Sequence, residues 1–152
     1  MPRIVREADA AWDGNLARGT GALSAATSGT FAELGFTLAS RIGAPEGKTS
    51  PEELLAAAHA GCFTMSLAGE LTGAGTPPGR LDVRCRITMD EVEGQGHRIV
   101  HSALDVRADL AGADEAVFAK AVAAADEGCP FSSLLRAAGA GVEVQSTMQG
   151  GD

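Results

Sequence analysis

Two of the three cysteines in this chain stand where a thiol could act as a nucleophile. Cys62 lies in Thr49-Ser50-Pro51-Glu52-Glu53-Leu54-Leu55-Ala56-Ala57-Ala58-His59-Ala60-Gly61-Cys62-Phe63, about three turns into a predicted helix. Ser50 is suited to cap that helix, Pro51 to its first position, and Glu52 and Glu53 to its first turn, where carboxylates meet the positive end of the helix dipole. Cys129 lies in Asp126-Glu127-Gly128-Cys129-Pro130-Phe131. There Gly128 suits the end of one helix and Pro130 the start of the next, so Cys129 is expected at an N-cap. Unpaired backbone N–H groups and the dipole at such a place favour thiolate over thiol. Two thiols so placed suggest redox chemistry between them. The plainer alternative is that both are core packing, since unpaired cysteines are among the most buried residues.

A thiol needs a nearby cation to become a ready nucleophile. Arg18, in Asn15-Leu16-Ala17-Arg18-Gly19-Thr20-Gly21, is a candidate because the flanking glycines let a turn carry its guanidinium inward. Glu52 could clamp that arginine through a bidentate contact. Without such a role, Arg18 is a solvated hairpin charge and Glu52 a first-turn carboxylate. Cys85 reads as structural, because it shares the apolar side of a strand with Val83 and Ile87. His59 and Cys62, three apart on a helix, could be two ligands of a metal. No C-x-x-C, no second His/Cys pair at ligand spacing and no H-E-x-x-H accompanies them, so no metal site is expected. His97 and His101 fall on the polar face of a strand. No G-x-G-x-x-G, P-loop or G-x-S-x-G motif is present.

The elements that must position these residues follow from hydrophobic period and turn signals. Short strands are expected from Ile4 to Trp12, from about Gly19 to Thr27 and from Gly35 to Ile42, with the turn Asp13-Gly14-Asn15 between the first two. Ser50 to about Gly73 is the longest helical stretch, nearly all apolar after Glu53 and so expected to be buried on most sides. Leu81, Val83, Cys85, Ile87 and Met89 alternate with polar residues as a strand, and Val100, Leu104, Val106, Ala108 and Leu110 share one face of the next. A helix is predicted from Asp114 to Glu127, a short one after Pro130, and a closing strand at Val142-Glu143-Val144-Gln145. The order βββ-α-ββ-α-α-β groups strands into hairpins, which points to an α+β class with an antiparallel sheet.

At 152 residues one domain covering 1–152 is expected, with 45% hydrophobic and 21% charged residues as in ordinary globular proteins. One Trp, five Phe and no Tyr leave the core to aliphatic side chains, which favours an oligomer. A net charge of −8 argues against nucleic acid and against an anionic membrane surface. No apolar run reaches the roughly 18 residues that span a bilayer, and the N-terminus lacks a signal-peptide core. An odd number of cysteines is no secreted disulfide framework, so the cytoplasm is the expected compartment and any disulfide there should be transient and catalytic.

The segments Ser50-Pro51-Glu52-Glu53-Leu54, Ala57-Ala58-His59-Ala60-Gly61-Cys62-Phe63 and Glu127-Gly128-Cys129-Pro130 together resemble the OsmC/Ohr family of thiol-dependent peroxidases. Trp12-Asp13-Gly14-Asn15-Leu16-Ala17-Arg18-Gly19 is similar to that family's first hairpin, so the likeness covers nearly the whole chain. His59 stands where the organic-hydroperoxide branch usually has an aromatic residue, which makes the chain more similar to the OsmC branch. Gly61 replaces a commoner Ala, a departure that should not touch the chemistry.

The resemblance implies an intertwined homodimer, with curved sheets around two central helices and each active site built from both chains. It also implies that Cys62 is the peroxidatic cysteine and Cys129 the resolving one. Arg18 would stabilise the thiolate and Glu52 would orient Arg18. The substrates would be organic hydroperoxides or hydrogen peroxide, the reductant a small-molecule or lipoyl-type dithiol, and no cofactor would be needed. A non-catalytic stress-response binding module on the same fold is the alternative, as is a structural dimer whose cysteines only pack. Cys62→Ser is therefore expected to abolish peroxide reduction in a folded protein, because the hydroxyl is not ionised near neutral pH. An activity within about threefold of wild type in a peroxide-consumption assay would reject Cys62 as nucleophile.

Overall fold

Trp12 and its neighbours set the first unit of the chain. The computed structural model describes residues 2–149, and the chain divides into two compact units, 1–54 and 55–152. In the first, β1 (Asp9–Asp13), β2 (Thr20–Ser24) and β3 (Leu34–Phe36) form an antiparallel sheet in that order. The hairpin between β1 and β2 is tightly drawn. Gly19 N–H donates to the Asn15 carbonyl at 2.7 Å, and Trp12 Nε1–H donates to the Gly14 carbonyl at 3.0 Å. A Cβ on Gly19 would stand 2.5 Å from two backbone oxygens, and one on Gly21 would stand 2.3 Å from the Phe36 ring. Only glycine fits at both places. The Trp12 and Phe36 rings meet with centroids 5.5 Å apart.

The strand expected through Ile42 stops at Phe36. Thr37 instead caps a short helix, α1 (Leu38–Ile42), in a reciprocal box with Ser40: the Ser40 N–H donates to Thr37 Oγ1 and the Thr37 N–H to Ser40 Oγ, both at 3.0 Å. The first strand is also shorter than expected, since residues 2–8 are not strand.

Helix α2 (Pro51–Gly73) begins where the letters place it, with the Glu53 N–H donating to Ser50 Oγ at 3.2 Å. By length and hydropathy it could cross a bilayer, which the search for an unbroken apolar run overlooks because small polar residues interrupt the stretch. Its burial, however, is that of a packed helix. His59, Phe63, Leu67 and Leu71, spaced by four, are fully buried. Ala57, Ala58, Gly61, Met65 and Gly69 are exposed in the single chain, Met65 at 78%. The expected burial on most sides is therefore limited here to one stripe.

In the second unit β4 (Arg80–Val92) and β5 (Gly96–Asp109) pair antiparallel over their length, with a register shift at Thr88/Met89. α3 (Glu115–Gly128) and α4 (Pro130–Ala137) follow, and β6 (Gly141–Gln149) pairs with β5. That last pairing is parallel, a correction to the all-antiparallel expectation. The two helices carry the chain back across the sheet before β6 begins, and such a crossover delivers a parallel strand. The α+β class and the predicted element order otherwise hold, with α1 added. Leu104, Val106 and Ala108 of β5 pack with Phe63, Leu67 and Leu71 of α2, with Phe118, Ala121, Val122 and Ala125 of α3, and with Cys129.

Asp114 caps α3, its side chain accepting the Ala116 N–H at 2.7 Å. Since α3 carries four core residues and ends at Cys129, Asp114→Ala is expected to lower stability by about 1 kcal/mol in chemical denaturation. An unchanged midpoint would show that packing alone holds that end of the helix.

Candidate functional site

Helix periodicity puts His59 and Cys62 one turn apart on α2, and the chain's second bend puts Cys129 at the junction of α3 and α4. Cys129 is both the C-cap of α3 and the N-cap of α4, with Pro130 at the first helical position, as its neighbours predicted. Its side chain makes no capping hydrogen bond and is fully buried. The packing of the second unit brings the two cysteines together: the Cys129 thiol lies beside Cys62, and both are free. Burial pushes the Cys62 thiol above its ordinary range, the neighbouring Cys129 thiol pushes it further, and a backbone hydrogen bond from Phe131 pulls it back. None of these influences is a cation.

His59 organises the surroundings of this pair. Its ring is fully buried, with Nδ1 2.8 Å from Ser102 Oγ on β5 and Nε2 2.9 Å from Ser132 Oγ on α4. Both serines are themselves fully buried. Cys85 joins the cluster from β4, with Sγ 3.3 Å from Ser102 Oγ and 3.8 Å from His59 Nδ1. Desolvation lowers the pKa of His59, while Asp126 opposes and Arg136 adds to that shift. The same desolvation raises the Cys85 thiol. The cluster is thus a set of neutral groups. No group of three or more His, Cys, Asp or Glu side chains suited to a metal occurs among the described residues.

The two charged candidates lie in the first unit, and the structure does not pair them. Arg18 is exposed on the β1–β2 turn, its backbone N–H donating to Asn15 Oδ1 at 3.0 Å. Glu52 instead holds Arg41, from the last turn of α1. Arg41 Nε donates to both carboxylate oxygens at 3.1 Å, and Nη2 to Oε1 at 2.5 Å. The bidentate clamp predicted for Glu52 therefore exists but grips a different arginine. The hydrogen bonds from Arg41 hold the Glu52 carboxyl below its ordinary value against the opposing effect of burial.

Arg41, Ser102 and Ser132 carry little signal in the letters. The one local sign of α1, and with it of Arg41, is the Thr37-x-x-Ser40 spacing, which suits a loop as well. Ser102 interrupts an otherwise apolar strand face, and Ser132 stands three after Cys129. His97 is exposed, while His101 is half-buried with Nε2 3.7 Å from Glu143.

The second unit is thus an α+β arrangement that sets two free thiols, one on a helix and one at a helix junction, beside each other, together with a mixed three-stranded sheet. Residues 43–145 match the family model described as OsmC-like protein. The chain is 34% identical over 134 residues to peroxiredoxin OsmC of Escherichia coli (strain K12), covering 88% of this chain and 92% of that protein. Among solved structures it resembles an OsmC-like protein from Mycoplasma pneumoniae, with a TM-score of 0.77 at 11% identity over 97% of this chain and 99% of that one. It also resembles the organic hydroperoxide resistance protein OhrB of Bacillus subtilis, with a TM-score of 0.65 at 20% identity over 94% and 98% of the two chains. The chain belongs to the OsmC-like family.

Removing the guanidinium that Glu52 holds should let its carboxyl rise toward the ordinary value, since the hydrogen bonds from Arg41 are what lower it. Arg41→Ala is expected to show this upward shift in an NMR titration of Glu52, and an unmoved titration would show that the clamp does not set it.

Proposed function

We propose that this OsmC-family protein is a cysteine-dependent peroxidase that reduces organic hydroperoxides and hydrogen peroxide. The observation that carries the reading is the placing of the free Cys62 and Cys129 thiols side by side. The Cys62 thiolate attacks the outer oxygen of the O–O bond and becomes a sulfenic acid, and the departing alkoxide or hydroxide takes a proton to leave as alcohol or water. The Cys129 thiol then condenses with the sulfenic acid, giving a Cys62–Cys129 disulfide and water. An external dithiol reduces that disulfide by exchange and leaves as its own disulfide. Sulfur carries both electrons, so no cofactor enters.

Because burial and the neighbouring Cys129 thiol hold Cys62 as thiol, a guanidinium must supply the missing stabilisation. A homodimer with sites built from both chains is supported by the apolar face of α2 left open around Ala58, Gly61, Met65 and Gly69. Stress defence in the cytoplasm suits a transient disulfide of this kind.

With one equivalent of peroxide, mass spectrometry of unreduced peptides is expected to find the Cys62–Cys129 link. In Cys129→Ser, Cys62 should stall as sulfenic acid and drift to sulfinic acid under excess peroxide. Cys85→Ser should turn over normally. A Cys129→Ser enzyme that cycles at the wild-type rate, or a folded Cys85→Ser that does not, would assign resolution to the wrong thiol.

A further inference from the structure

We infer that His59 is a positioning residue for the resolving step, a neutral buried clamp that holds α4, and with it Cys129, against the Cys62 turn of α2. The inference rests on the Cys62–Cys129 reading above and adds to it a determinant of geometry. His59 is three residues before Cys62 on one helix, and Ser132 is three residues after Cys129 on the other. The 2.9 Å contact between His59 Nε2 and Ser132 Oγ thus links the same two helical turns that bear the sulfurs. On its other side, His59 Nδ1 is tied to Ser102 of β5 at 2.8 Å, so the clamp is referred to the sheet.

The chemistry of the cluster suits this work. A neutral imidazole offers one donor and one acceptor, and each serine hydroxyl can be either. Both contacts are therefore made in either tautomer, and no charge has to be buried. Removing the ring would leave Ser102 with the Cys85 thiol and the fully buried Ser132 hydroxyl to find a new partner, and α4 would shift or admit water to satisfy it. α4 is only eight residues long and buries just Ser132 and Leu135 of its own length, so beside the Arg136–Asp126 pair and the packing of Phe131 and Leu135 the His59 contact has a large share in fixing its place. Nothing in the peroxide-attacking step requires this clamp, because that step needs the Cys62 thiolate and not the position of Cys129. Closing the disulfide needs both sulfurs within a narrow geometry.

The test separates the two steps in single-turnover experiments with one peroxide equivalent. Sulfenic acid at Cys62 is trapped with dimedone, and the Cys62–Cys129 disulfide is followed by mass spectrometry. In His59→Leu, sulfenic acid should form near the wild-type rate while disulfide closure slows by about tenfold, and sulfinic acid should accumulate under excess peroxide. Gln carries its terminal amide where Nε2 lies and keeps the Ser132 contact, whereas Asn mimics Nδ1 and keeps only Ser102. His59→Gln should therefore close faster than His59→Asn, and Ser132→Ala should share the defect. A role confined to stability would lower the melting point of all these variants without changing the ratio of closure to over-oxidation. Should His59→Leu fail to fold, the Gln, Asn and Ser132→Ala proteins decide. Wild-type closure rates in Ser132→Ala, or equal rates in His59→Gln and His59→Asn, overturn the clamp. A wild-type protein that forms no Cys62–Cys129 disulfide overturns the reading beneath it instead.

Discussion

Desolvation is the constraint on which the chemistry of this fold turns. The packed region between β5, α2, α3 and the α3–α4 junction takes Cys129 and His59 wholly from water and Cys62 and Cys85 in part. In that environment three titratable groups are driven toward their neutral forms: the Cys62 and Cys85 thiols upward, the His59 imidazole downward. For His59 and Cys85 neutrality is the useful state, since uncharged donors and acceptors can complete one another without ion pairs. For a sulfur nucleophile it is an obstacle, because the thiol does not attack a peroxide at a useful rate. A cysteine proposed to attack a peroxide from such a place thus calls for a positive charge, and none is among the influences that set the Cys62 thiol. An arginine held rigidly by a carboxylate is the economical way to bring one, since its guanidinium stays ionised under burial and its direction is set by two hydrogen bonds.

What the letters disclose and what they conceal divide along the same physical line. Contacts made within a few residues are legible: the Ser50 cap, Pro51 and the acidic first turn announce α2, and Gly128-Cys129-Pro130 announces a break between helices. The hydrophobic period of β4 and β5 reads correctly for the same reason. α1 stays hidden because Phe36-Thr37-Leu38 has a strand-like composition, and its capping box relies on two serine and threonine hydroxyls that look equally at home in a loop. The direction of β6 depends on how far α3 and α4 carry the chain, which no local pattern states.

Choices of partner are the least legible of all. Ser102 and Ser132 are 43 and 73 residues from the histidine they meet, and a serine alone gives no sign of being buried. Glu52 could be expected to hold an arginine, but which arginine is a matter of tertiary direction. Arg18 leaves the hairpin toward solvent, while Arg41 leaves the last turn of α1 toward the start of α2. The motif near the carboxylate is local; the guanidinium that answers it is not.

Helix α4 shows how much of a short element's place is borrowed. At eight residues, α4 lies below the length at which a helix is stable in water without support. Its position comes from Leu135 in the core, from Ser132 on His59, and from Arg136 paired with Asp126 of α3. The last pair is imperfect, since Asp126 Oδ1 is buried without a hydrogen-bond partner among the described residues. A segment held by so few contacts can be moved at modest cost, and the cycle proposed above would ask for this at its N-terminal end. In that cycle Cys129 would close a disulfide with Cys62, for which a Cα separation of only about 4.4–6.8 Å is needed, and would then let the bond be reached by a reductant. The fully buried Cys129 sulfur and the neutral, reversible character of the serine–histidine contacts fit together in this light. An ion pair in the same place would resist the motion more strongly and would cost far more to bury.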